Sequence, residues 1–293
     1  MGEPARKIPL SVEPDVESSD DETSGVTILQ RWVERPDGRM ELVELPLTPE
    51  LFLDPQLEDK LLQGRLHNLL RHYFFDLLLR HLRSETDVMV LADVKHLLGP
   101  GLPGPAPDVS VIRGARHPDL DLSSFDVVKQ GTVPCLVVEI VSPLDARIRR
   151  ADEVDKVNLY QRVGIQEYLL VDPPRRASGR RFRLKGYRLS TDRRYRPIEP
   201  DAKGYLLSDT TQLRFGVSAK GDWIDLYDVR TGARLLSSLE EEEGRKRAEE
   251  SASREEAAYH TAEEKASREE AARKAAEAEL ERLRAEVEKL KKH

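Results

Sequence analysis

Three side chains, far apart in the chain, have the chemistry to act on one bond: Asp108, Glu139 and Lys156. Asp108 follows Pro107 and opens the strand-like run Val109-Ser110-Val111-Ile112. Pro107 fixes its own backbone and biases Ala106 toward an extended form, so a stiff loop presents Asp108 at a strand entrance. Glu139 lies inside Cys135-Leu136-Val137-Val138-Glu139-Ile140-Val141, an apolar run with the composition of a strand buried on both faces. An ionised carboxylate there is costly unless a cation or a metal pairs with it. Mg2+ takes hard oxygen ligands, usually one or two carboxylates with waters and a substrate phosphate. Held by Asp108 and Glu139, it would lower the pKa of a bound water and neutralise a scissile phosphate. A lysine nearby would stabilise the developing negative charge and hold the attacking water. The set suits metal-dependent phosphodiester hydrolysis. Spacing alone leaves blander readings open. Glu139 at an exposed strand end would pair with an arginine, Asp108 after proline would be a turn residue, and Lys156 would pair with Asp152 four residues earlier.

The surrounding pattern says which elements must position these groups. From about residue 57 to 83, Leu62, Leu66, Leu69, Leu70, Tyr73, Phe74, Leu77, Leu78 and Leu82 recur at helical spacing. Asp59, Gln63 and His67 then share one helical face and either flank the site or meet solvent. Val88 to Val94 reads as a strand with Asp93 near its end, and residues 113–132 as a polar connection. Ser142-Pro143 breaks the Glu139 strand. From about Asp145 to Val163 the spacing is helical again and puts Asp152, Lys156 and Tyr160 on one face, with Gly164 ending the helix. Ile165 to Val171 is another buried strand, closed by Asp172. Residues 175–235 read as short strands, and Arg175, Arg176, Arg180, Arg181, Arg183 and Lys185 make their first part the most basic of the chain. Arg181, Arg183 and Lys185 are candidate nucleic-acid contacts, although charge on an edge hairpin also serves to prevent aggregation.

The two ends differ from this core. Residues 1–25 hold an acidic cluster and few large apolar residues, as a disordered tail would. Residues 237–293 are rich in Ala, Glu, Lys and Arg, and the run from Ala252 to Ala258 recurs 14 residues later, from Ala266 to Ala272. Leu280, Leu283, Val287 and Leu290 form a short coiled-coil seam at the end of that helix. Residues 26–236 therefore make the globular domain of a 293-residue chain. The net charge of −7 argues against a surface that binds polyanions everywhere, without excluding a local basic patch. The single Cys135 allows no disulfide within one chain. The first residues lack the apolar core of a signal peptide, and no run is long enough to span a membrane, so a cytoplasmic protein is expected.

The blocks from Gly104 to Val111, Pro134 to Pro143, Asp152 to Lys156 with Tyr160, Val163 to Tyr168 and Val171 to Pro173 occur in an order and spacing that resemble the Uma-type restriction endonuclease family of the PD-(D/E)XK nuclease superfamily. The resemblance covers about residues 26–235. It implies an α/β (α+β) fold with a mixed central sheet flanked by helices, a Mg2+ site that also takes Mn2+, and DNA as substrate. Asp108 matches the motif aspartate and Glu139 the second acidic ligand. The superfamily's lysine stands two residues after that acid, where this chain has Val141; Lys156 matches the lysine that the family carries on the next helix. Asp59, Gln63 and His67 resemble a pattern of one branch, and Leu169 stands where relatives carry tryptophan. Asp93, Asp152 and Tyr160 are further auxiliary candidates. Two functions follow. One is a Mg2+-dependent DNA endonuclease. The alternative is an interaction protein with a nuclease-like core that has lost turnover and that docks or oligomerises, most simply as a homodimer, through its core or C-terminal helix.

Overall fold

A computed structural model describes residues 27–57, 59–61, 63–116, 123–141, 146–174 and 181–290. The acidic tail, the Ser142-Pro143 break and Arg175, Arg176 and Arg180 lie outside these residues. The first element among the described residues is the antiparallel hairpin β1 (Ile28–Glu34) and β2 (Met40–Pro46), turned at Pro36-Asp37-Gly38. Helix α1 (Pro49–Leu53) follows, capped by the Thr48 hydroxyl, which accepts from the Leu51 amide.

The predicted helix from residue 57 begins later. Asp59–Leu61 is a strand, β3, on the free side of β1, and helix α2 spans Arg65–Leu82 after Gly64. The leucine spacing runs on through Leu57 and Leu61, but cross-strand pairing with β1 claims residues 59–61, and the Arg31 guanidinium binds both oxygens of Asp59 at 2.5 and 2.8 Å. Asp59, Gln63 and His67 therefore do not share a helical face; only His67 lies on α2.

A mixed sheet of six strands organises the rest. Its strands are β4 (Val88–Leu91), β6 (Val109–Arg113), β8 (Pro134–Ile140), β9 (Glu167–Asp172), β10 (Arg183–Leu189) and β11 (Tyr195–Pro197). Their order is β11-β10-β9-β8-β6-β4. β8 and β9 run parallel and the other neighbours antiparallel. Between β4 and β6 lies β5 (Lys95–Leu97). It pairs with β7 (Ser124–Asp126), which leads into α3 (Val127–Gln130). The polar connection expected at 113–132 thus contains two short elements, too brief to leave a periodic signal. Between β8 and β9 runs helical chain: α4 (Ala146–Arg150), a π-helical turn (Ala151–Asp155) and α5 (Lys156–Val163). Gly164 closes it with φ +97°, a conformation open to glycine at little cost.

Every residue of β8 is buried, and its alternation splits the core. Leu136, Val138 and Ile140 pack with Phe74, Leu77 and Leu78 of α2, and that layer continues into the small sheet of β12 (Leu206–Ser208), β13 (Leu213–Val217) and β14 (Ile224–Asp228). Val137 and Val141 face the other way, onto Leu159 and Tyr160 of α5. Glu139 shares their parity and points toward α5. Helix α6 (Ser238–Leu290) starts against α2, where the Ser238 hydroxyl and amide donate to Asp76. From there its side chains, where described, are almost all exposed and carry i,i+4 pairs such as Glu242–Lys246 and Glu270–Lys274. Among the described residues, no helix is long and apolar enough to cross a membrane.

His96 is buried between Val94 and Ser110. Its Nδ1 donates to the Val94 carbonyl at 2.7 Å, and its Nε2 accepts from the Ser110 hydroxyl at 3.0 Å. Burial pushes this imidazole down to about 4, from an ordinary value of about 6.5. The folded state therefore binds fewer protons than the unfolded chain between those values. The stabilisation is complete above the ordinary value and is lost as pH falls through about 4, an effect on the order of 3 kcal/mol. Denaturant unfolding measured between pH 7 and pH 4 is expected to show this slope, reduced in His96→Gln. An equal slope in both proteins would assign the acid sensitivity elsewhere.

Candidate active site

The site forms where β6 and β8 lie side by side. Val109 pairs with Val138 in antiparallel register, so the preceding Asp108 sits beside Glu139 and on the same side of the sheet. Asp108 is 4% exposed. Its Oδ2 accepts from the Ile140 amide at 2.8 Å, and its Oδ1 lies 2.6 Å from His67 Nε2 on α2. Burial alone would raise the pKa of this carboxyl. His67, the Ile140 amide and the Lys156 ammonium outweigh it, and the net shift is downward.

Glu139 meets α5. Its Oε1 lies 2.9 Å from Lys156 Nζ and accepts from the Tyr160 hydroxyl at 3.0 Å. Lys156 Nζ also stands 3.0 Å from Asp152 Oδ1 and 4.0 Å from the centre of the Phe52 ring on α1. The Lys156 side chain is 1% exposed. Two facing carboxylates hold it protonated against burial. Burial pushes both Glu139 and Asp152 up, with Lys156 pulling each down and Asp108 pushing each up.

The π turn makes this arrangement possible. The Lys156 amide bonds back five residues to the Ala151 carbonyl. Such widened turns recur at functional sites. The Tyr168 hydroxyl of β9 donates to the Asp152 carbonyl at 2.9 Å, which satisfies one backbone oxygen of the widened turn. Asp152, Lys156 and Tyr160 thus keep the shared face read from their spacing, despite the change in helical geometry.

The remaining candidates lie at varying removes. Asp93 ion-pairs with Arg71 at 2.8 Å on a half-exposed surface. Its amide donates to the Pro107 carbonyl at 3.0 Å and so fixes the loop before Asp108, with φ +56° at Asp93 itself. Gln63 precedes α2, and its buried Oε1 has no partner among the described residues. Asp59 is committed to Arg31. Arg183 pairs with Asp172 and Lys185 with Glu153, both with more than half of the side chain exposed, and Arg181 is exposed beside Gly221. Tyr187 and Tyr195, interleaved with these basic residues, pack with Tyr168 and Ile165 in the core rather than offering free ring faces. Phe52 and Arg71 escaped the sequence reading, since neither residue type nor spacing marks a long-range contact.

Among the described residues, no three His, Cys, Asp or Glu side chains already converge as ligands of one ion. The donor set nevertheless fits a hard divalent cation. Two buried carboxylates, Glu139 and Asp152, face a single ammonium, buried Asp108 lies beside Glu139, and neither oxygen of Asp152 has a hydrogen-bond partner among the described residues.

A mixed sheet flanked by helices, with an aspartate at the entrance of one strand beside a glutamate on the next, defines a protein with the restriction-endonuclease-like fold. The chain belongs to the Uma2 family, described as "Putative restriction endonuclease", whose model matches residues 28–221. A solved structure titled as a putative nuclease belonging to DUF820, from Anabaena variabilis, is similar at 16% identity and a TM-score of 0.38, over 58% of this chain and 79% of that one. Among curated proteins, none matches this chain.

Proposed function

We propose that the protein is a Mg2+-dependent DNA endonuclease of the PD-(D/E)XK type, with Asp108 and Glu139 as metal ligands and Lys156 as the charge-stabilising group. The observation that carries this reading is the placement of Asp108, at the entrance of β6, beside Glu139 of β8, with Lys156 reaching the Glu139 carboxylate. Bound there, Mg2+, or Mn2+ in its place, supplies a water of lowered pKa and neutralises charge on the scissile phosphate. His67 and the Ile140 amide orient Asp108. The Tyr160 hydroxyl orients Glu139, and the Lys156 ammonium offsets negative charge that develops on the phosphate. Arg183 and Lys185 are the exposed cations that would meet a DNA backbone. Supercoiled plasmid incubated with the full-length protein tests the reading. Nicking with Mg2+ that stops on chelation is expected; nicking that persists in chelator would reject the metal's role.

The rival reading, a nuclease-like scaffold without turnover, draws on Val141, which is buried where the superfamily's strand lysine stands. The absence of cleavage under any divalent metal would favour it.

Both readings take residues 26–236 as the catalytic or docking domain and α6 as a pairing arm. Leu280, Leu283 and Val287 are each about half exposed. In a parallel pair, Glu279 of one copy meets Arg284 of the other across the seam. Light scattering of the 33.3 kDa chain is expected to give twice that mass. Removal of residues 240–293 should return the monomer, and an unchanged dimer would place the interface in the core.

A further inference from the structure

Asp152 is harder to explain than the other acidic groups. It is 1% exposed, so water does not satisfy it. Asp108 has a bond on each oxygen, and Glu139 accepts one from the Tyr160 hydroxyl beside its ion pair with Lys156. Asp152 Oδ1 stands 3.0 Å from Lys156 Nζ, close enough for an ion pair yet off the direction of a hydrogen bond, and Oδ2 has no partner among the described residues. A buried carboxylate without hydrogen bonds is costly, and a fold that retains one has left lone pairs free for something else. The neighbourhood says what that is. Glu139 and Asp152 approach the same point from the strand and from the π turn, and a single cation, the Lys156 ammonium, lies between them.

We propose that Asp152 is a third carboxylate of the metal centre and that Lys156 occupies, in the metal-free protein, the place the metal takes. The inference rests on the metal-dependent reading above. It adds to that reading a ligand from the helical segment and a displacement. A divalent ion entering between Glu139 and Asp152 brings two positive charges where the ammonium brought one, which suits three buried carboxylates better than the lysine alone. The lysine tip then withdraws along its flexible stem, free to offset charge on a bound phosphate. The lysine thus keeps the carboxylates apart from one another until the metal arrives.

Calorimetric titration of Mn2+ into the full-length protein, without DNA, tests this apart from activity. The wild type, Asp152→Asn, Lys156→Met, and Asp108→Asn as reference are compared, with circular dichroism checking each fold. Asp152→Asn is expected to weaken Mn2+ binding at least about tenfold. Lys156→Met should strengthen it, because no ammonium has to leave. Should Lys156→Met fail to fold, Asp152→Asn decides alone, since it keeps the residue's size and removes no hydrogen bond. A positioning role for Asp152, with the carboxylate only steering Lys156, predicts Mn2+ affinity unchanged or raised in Asp152→Asn. That outcome overturns the inference while the reading on Asp108 and Glu139 stands. Mn2+ binding absent from the wild type, or untouched by Asp108→Asn, overturns both.

Discussion

Asp108→Asn and Glu139→Gln are each expected to lower metal-dependent DNA cleavage by at least about a hundredfold, the scale of losing one group that meets developing charge. Their effects on the fold should differ in a way that reports their environments. The Asp108 carboxyl is held below the usual range despite its burial, because His67, the Ile140 amide and Lys156 favour its charged form. A depressed folded value contributes stability above the ordinary value, lost as pH falls through the folded one. Asp108→Asn gives up that contribution and one of two charge-assisted bonds, so about 1–3 kcal/mol of stability should go with it at neutral pH. Glu139 is pushed upward, first by burial and then by its acidic neighbours, so the fold disfavours its charge. Glu139→Gln should therefore change stability by less than about 1 kcal/mol. Urea unfolding beside a cleavage assay checks the pair. Equal loss of stability in both variants, or cleavage retained in either, contradicts the assignment.

Lys156→Ala is expected to be the most destabilising single change in the site. It leaves Glu139 and Asp152 buried and facing one another with no cation between them. Removing one partner of a buried ion pair costs about 3–5 kcal/mol, because the charge that remains is uncompensated. The loss also takes the ammonium from the face of the Phe52 ring and removes the buried aliphatic stem. A second change separates the two contributions. Lys156→Met keeps the stem, and with Asp152→Asn it removes both sides of one pair, so the double variant should recover most of the stability lost by Lys156→Met. Equilibrium unfolding at pH 7 reads the double-mutant cycle. Strict additivity would mean that the ammonium and Asp152 do not sense each other, contrary to their 3.0 Å separation.

Much of this site was readable from local pattern. Glu139 stood out because a charge interrupts an apolar strand. Asp152, Lys156 and Tyr160 stood out because four-residue spacing survives in a helical segment, even one with a π turn. Gly164 marked a helix end through chemistry that acts within a few residues. The readings that failed depended on distant partners. Asp59 carried a helical signal, but Arg31 of β1 and the pairing of β1 with β3 decided its place. His67 gave no hint that Asp108, 41 residues away, would be its partner. Asp93 ends past its strand in a left-handed conformation that no pattern of side chains announces. Phe52 lies beneath the Lys156 ammonium only because α1 packs on the helical run before α5.

The central claim is that one divalent ion is held between Asp108 and Glu139. An anomalous difference map from crystals soaked in Mn2+ tests it most directly. The account predicts a peak within coordination distance of both carboxylates, with Lys156 Nζ moved away from Glu139. Density at surface carboxylates alone, with the Lys156–Glu139 pair intact under millimolar Mn2+, would contradict it.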